Sequence, residues 1–314
     1  MSSGRVTEDS AVREWTPGRA VDVAGTLAPL RRGRFDPTYQ LSVDGSLWRT
    51  MLTPIGAATQ RISVRASEGV VVGESWGDGA QWAADRLPAS LGADDDVSGF
   101  DASLHPLVAR QWHRHSAGLR TPAVGLVLEM LVAAVLEQRV TGNEARRSWR
   151  WLLTRHGDGA PGPAPEGMRV FPSVEACRRS PSWEWHRAGV EQARSATIMA
   201  LMTVASRMAE CVTMSGEAAR ARMQLVPGVG VWTAAEAAQR ALGDADAVSY
   251  GDFHVAHNVV YALTGEIDGT DERLAELLAP SVGHRGRVVR LVELSRIRRP
   301  ARGPRYAPID FRQS

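Results

Sequence analysis

The chain has 314 residues, a formal charge of +2 and 44% hydrophobic side chains. It should therefore fold, exceeds one ordinary core, and is not marked as a nucleic-acid binder by net charge alone. Two cysteines, Cys177 and Cys211, exclude a disulfide framework or a four-thiolate iron–sulfur or zinc site. No lysine occurs, so no side-chain amine can form a Schiff base.

The first residues, MSSGRVTEDSAVREW, lack the basic start and apolar core of a secretory signal. Residues 1–18 are expected to be a loose N-terminus. From residue 19 to 100 the pattern suits a small antiparallel sheet domain. TYQLSVDGSLWRTML carries Asp44-Gly45 between β-rich arms, a hairpin signal. TQRISVRAS and GVVVGESWG read as further strands, followed by a short helix over 79–91 and the acidic linker GADDDVSG.

Residues 101–295 have helical spacing almost throughout, so the class is α+β, mostly α. Helices are predicted near 105–115, 122–140, 142–156, 173–178, 182–187, 190–211, 215–225, 231–242, 252–263, 271–279 and 284–295. The apolar stretch at 122–138 is too short to span a membrane and contains Glu129, so it reads as a buried helix. A cytosolic, non-membrane protein is expected. From His284 onward arginines dominate, which suits either a solvated surface or a phosphate-facing strip. Residues 296–314 are expected to be a basic tail.

Between two predicted helices lies LVPGVGVWTAAEAA, residues 225–238. Pro227 cannot continue a helix, and Gly228 and Gly230 would leave the tip of a helical hairpin nearly bare. Amides opening the second helix then form a ready anion site, unless the stretch is an ordinary connection. About twenty residues on, SYGDFHVAH places Asp252 before an apolar helix, as an N-cap, a reactive carboxylate, or both.

LVPGVGVWTAAEAAQRALGDADAVSYGDFHVAH resembles the signature of the helix-hairpin-helix DNA glycosylase superfamily, in its DNA-3-methyladenine glycosylase II branch. The likeness extends to LEMLVAAVLEQRVTGNEARRSW and to 171–205, and more weakly to the strand-rich N-terminus. It implies that Asp252 is the catalytic aspartate and that Pro227, Gly228, Val229, Gly230, Val231 and Thr233 grip DNA phosphates. It places Trp232 and Glu236 in the base pocket, with Glu236 where a well-known member type has an aromatic residue. Trp232 stands where lyase-type members carry their lysine. Gln138 and Arg139 match the turn that fills the gap left by a flipped nucleotide, where relatives commonly carry an aliphatic side chain. Backbone carbonyls of Gln224, Val226 and Val229 match a monovalent-cation site. No cofactor is otherwise implied, and damaged duplex DNA is the expected partner of a monomer.

The implied chemistry is hydrolysis of the bond between sugar and an alkylated purine, leaving an abasic site. A cationic purine is already a good leaving group, and an ionised Asp252 would stabilise positive charge on the sugar. A DNA-binding protein without activity, or a glycosylase for another damaged base, remains open on these residues. Asp252, His254 and His257 make a poor metal set, because i and i+2 point to different helix faces.

Overall fold

The computed structural model describes residues 9–300. Five strands, β1 (Ser10–Trp15), β2 (Tyr39–Leu41), β3 (Leu47–Leu52), β4 (Ala57–Arg65) and β5 (Val70–Trp76), form one antiparallel sheet in the order β1-β5-β4-β3-β2. Asp44 and Gly45 lie in the turn between β2 and β3, where Gly45 takes φ 81° and Leu41 pairs with Leu47. Strand β1 corrects the expectation of a loose segment through residue 18. It is an edge strand whose exposed Val12, Arg13 and Glu14 conceal the alternation a half-buried strand would show. A short helix, α1 (Val23–Leu27), follows it.

Helix α2 (Ala80–Ser90) packs Ala83 and Leu87 against one face of the sheet, and Gln60 donates to the Ala83 carbonyl at 2.7 Å. The remaining helices are α3 (Pro106–His115), α4 (Val127–Glu137), α5 (Gly142–His156), α6 (Val174–Arg179), α7 (Ser182–Arg187), α8 (Gln192–Thr203), α9 (Ala205–Ala209), α10 (Gly216–Met223), α11 (Val231–Ala241), α12 (Val255–Thr264), α13 (Asp271–Leu278) and α14 (Arg285–Leu294). Two expected helices are shorter than read. Gly125 takes φ 75° and bonds to the Ala241 carbonyl, so α4 begins only at Val127. The run predicted over 190–211 breaks at Val204, where φ −111° and ψ 21° separate α8 from α9.

The core does not follow the sheet-then-helices division. One apolar cluster joins the sheet and α2 to α4 through α11, with Leu47, Ile62 and Leu87 sharing it with Leu131, Ile198 and Ala237. A second joins α3 to α12, α13 and α14 through Leu107, Val108, Val260, Leu274 and Leu291. The acidic linker is stapled to this second half: Asp95, 2% exposed, ion-pairs with Arg287, 6% exposed, at 2.6 Å. Both cysteines are buried, and burial pushes the Cys177 thiol up to about 12.

Candidate nucleic-acid interface and active site

Helix α10 ends at Met223, the chain turns through Pro227 and Gly228, and α11 starts with Gly230 as its N-cap. The N-cap has no side chain to satisfy the first amides of α11, which therefore point outward with the positive end of the helix dipole. The two glycines do different work, which corrects the picture of a uniformly bare tip. Gly228 takes φ 87°, and a Cβ there would overlap the Thr197 hydroxyl on α8. Gly230 has extended backbone and nothing within 4 Å of a Cβ. Only Gly230 leaves open space. Pro227 and Val231 are exposed around it, whereas Val226 and Val229 are buried and anchor the hairpin in the first core.

Gln138 caps α4 and braces this hairpin. Its amide donates to the Gly228 carbonyl at 3.0 Å and the Thr233 hydroxyl at 2.8 Å. The next residue, Arg139, is exposed and takes φ 53° at the α4–α5 turn. The implied gap-filling pair is thus divided: Gln138 points to the hairpin and Arg139 is the solvent-facing member.

Trp232, in the first turn of α11, belongs to the first half of the molecule; Asp252 leads into α12 in the second. The Trp232 indole N–H donates to Asp252 Oδ2 at 3.0 Å. Asp252 Oδ1 accepts the backbone N–H groups of His254 at 2.7 Å and Val255 at 3.0 Å. The carboxylate therefore caps α12 with one oxygen and meets the tryptophan with the other. Three donors leave room, among about four lone-pair positions, for one more, such as a water.

Several residues that the sequence reading passed over hold this loop. Gly251, at φ 84°, donates its N–H to Asp271 of α13 at 2.7 Å. The Ser249 hydroxyl donates to Glu236 at 2.5 Å, and Gln239 donates to the Ala247 carbonyl at 3.0 Å. Glu236 also pairs with Arg240 at 2.8 Å, so its charge is answered within α11. It acts here as a strut to the Asp252 loop. A serine and a glutamine in a helical register give no warning of such a role. Phe253, next to Asp252, is 72% exposed, with the His254 and His257 rings at 5.0 and 5.7 Å.

A 3-methyladenine DNA glycosylase from Archaeoglobus fulgidus superposes over 90% of this chain and 98% of its own, with TM-score 0.73 and 18% identity. The chain has the fold of the helix-hairpin-helix DNA glycosylases. An 8-oxoguanine glycosylase/lyase of Clostridium acetobutylicum, solved with duplex DNA, shares this glycosylase fold over 92% of the chain and 96% of its own (TM-score 0.68, 10% identity). In sequence, 168 residues are 32% identical to the probable bifunctional transcriptional activator/DNA repair enzyme AlkA of Mycobacterium tuberculosis, covering 53% of this chain. The match takes in about a third of that relative's length. No protein-family model matches the chain.

The arginines of α14 each have an acidic neighbour. Arg285 pairs with Asp246 and Arg287 with Asp95, while Arg290 lies 3.4 Å from Glu293. Arg302, Arg305 and Arg312 of the expected tail lie outside the described residues, as do residues 1–8. Among the described residues no helix is long and apolar enough to cross a membrane.

Proposed function

We propose that this chain is a monofunctional DNA glycosylase that hydrolyses the N-glycosidic bond of alkylated purines, such as 3-methyladenine, flipped out of damaged duplex DNA. The observation that carries the reading is the 3.0 Å contact between Trp232 and Asp252 beside the open first turn of α11. The outward amides at Gly230, Val231 and Trp232 hold phosphates of the damaged strand and position it. The extruded nucleotide enters the junction, where an electron-poor methylated ring stacks on Trp232.

The bond from sugar C1′ to the purine nitrogen then breaks, and the electron pair leaves with the base. Positive charge develops on the sugar beside the Asp252 carboxylate, which stabilises it electrostatically. Water adds at C1′, its proton passing to Asp252 or to bulk solvent, and the products are a free base and an abasic site. The hydrogen bonds from Trp232, His254 and Val255 fix the carboxylate in advance, so little reorganisation accompanies the charge. With no lysine in the sequence, strand scission through a side-chain Schiff base has no candidate nucleophile.

The carbonyls of Gln224, Val226 and Val229 fit a monovalent cation by donor chemistry, being neutral hard oxygens at one turn. The Val226 carbonyl already accepts the Val229 N–H at 3.0 Å and retains a second lone pair. A cation there would tie the hairpin to its phosphate. The protein would act as a cytosolic monomer.

The test is single-turnover release of 3-methyladenine and 7-methylguanine from methylated duplex, comparing wild type with Asp252→Asn and using alkali to reveal abasic sites. Release by wild type and its near-loss in the variant, with DNA binding kept, supports the reading. No release by wild type turns it toward a different damaged base or a non-catalytic binder.

A further inference from the structure

A second surface, on the α5 side of the α4–α5 turn, has a composition that the site does not use. Arg31, Arg34 and Phe35 stand in the loop before β2, and Arg146, Arg147 and Arg150 on α5. Phe35 is 65% exposed, and its ring is flanked by the guanidinium carbons of Arg34 at 5.4 Å and Arg150 at 5.7 Å. Arg146 lays its aliphatic stem on Gly33, where a Cβ would come within 2.6 Å of its Cδ. Among the described residues none of these five arginines has an ion-pair partner. Arg31 donates to the Gly33 carbonyl at 3.1 Å and Arg146 to Asn143 at 3.0 Å.

The neighbouring carboxylates are occupied. Asp36 is buried and accepts from Arg32, Thr38 and the Trp149 indole, which ties the loop to α5. Glu137 pairs with Arg32, and Glu144 closes the capping box with Thr141. The patch is therefore a rigid, uncompensated cationic surface with an aromatic ring at its centre. The cation–π contacts with that ring hold the Arg34 and Arg150 guanidinium groups beside it without neutralising them.

Resting on the DNA-binding part of the reading above, we propose that this patch holds the phosphate backbone of the duplex flanking the site, beyond the α4–α5 turn. Arg146 and Arg150 are one helical turn apart, about 6 Å at 1.5 Å per residue. That spans about two nucleotides of one strand at 3.4 Å each. Gln138 ties the α4–α5 turn to the hairpin at Gly228 and Thr233, and α5, which carries Arg146 and Arg150, leaves that same turn, so the patch continues from the hairpin along one connected surface.

The test compares the full-length wild type with Arg34→Ala/Arg146→Ala/Arg150→Ala by measuring affinity for an undamaged duplex across a salt series. Each phosphate contact contributes about 0.9 to the slope of log affinity against log salt. The triple variant is expected to lower the slope by about 2 to 3 and to bind at least about tenfold more weakly at low salt. Arg13→Ala, on the opposite sheet edge, should leave both unchanged, and the glutamine triple should reproduce the alanine one. If the alanine triple lowers the unfolding midpoint, the glutamine triple decides. Unchanged slope and affinity in a folded triple variant would overturn the proposal. An equal loss from Arg13→Ala would do the same, because it would report net charge only. Single-turnover excision at saturating DNA should match wild type. Its absence in wild type would remove the glycosylase reading and leave the salt comparison standing.

Discussion

Gln138 bonds to Thr233 across 2.8 Å, and the same amide reaches the Gly228 carbonyl at 3.0 Å. Two segments nearly a hundred residues apart are thereby one unit: the turn carrying Arg139 and the hairpin carrying the open amides. Gln138→Ala should cost about 1–2 kcal/mol of stability from lost hydrogen bonds and weaken DNA binding as well. A double-mutant cycle with Thr233→Val should give a coupling of at least about 0.5 kcal/mol. Strict additivity would sever the proposed brace.

The two hairpin glycines should separate under substitution. Gly228→Ala combines a positive φ with an overlap on Thr197 and should destabilise the fold by about 1–3 kcal/mol in urea titration. Gly230→Val meets open space in extended backbone, so its cost should be confined to the poorer N-cap, about 1 kcal/mol or less. It should nonetheless weaken binding to damaged and undamaged duplex alike. A loss confined to damaged DNA would contradict the phosphate role.

Asp252→Asn should lower single-turnover excision about 10²–10³-fold while leaving duplex affinity within about twofold. Trp232→Phe keeps a ring and removes the donor to Asp252, so a smaller loss of about tenfold is expected. Full activity in the asparagine variant would disqualify the carboxylate.

Glu129 lies inside α4 at 5% exposure, with one carboxylate oxygen lacking a hydrogen-bond partner. Burial pushes its carboxyl up to about 7, against the pull of the buried Arg49 guanidinium. A raised folded value means that the stabilising contribution is complete below about pH 4.5 and is lost as pH rises through 7. The loss is of order 3 kcal/mol. Glu129→Gln should flatten the pH dependence of the unfolding free energy over that window, measured by urea titration at several pH values. An unchanged slope would show that the shift resides elsewhere.

The hairpin and the Asp252 turn were legible because Pro, Gly and Asp impose local backbone geometry with few alternatives. Helices α5, α6, α7 and α11 fall close to their predicted spans for the same reason, with Ser, Thr or Gly marking most of their starts. What stayed hidden depends on distant partners. Gln138 could not announce Thr233, nor Glu236 announce Ser249, because a side chain's partner across the fold leaves no local period. Ser10–Trp15 was missed because an edge strand has one solvated face and one partner. The entry of α3 into the second core is equally silent, since its apolar face says only that something covers it.

That placement of α3 has a mechanical result. The backbone passes from the first core to the second at α3, returns for α4 through α11, and passes over again at α12. Three crossings make a laced seam, which resists the swing a single hinge would permit. The contact between Trp232 and Asp252, which bridges that seam, is therefore held at fixed length. On the proposed function, selection would then fall to the duplex: the nucleotides admitted would be those whose own stacking and pairing yield most readily to a site that does not widen for them.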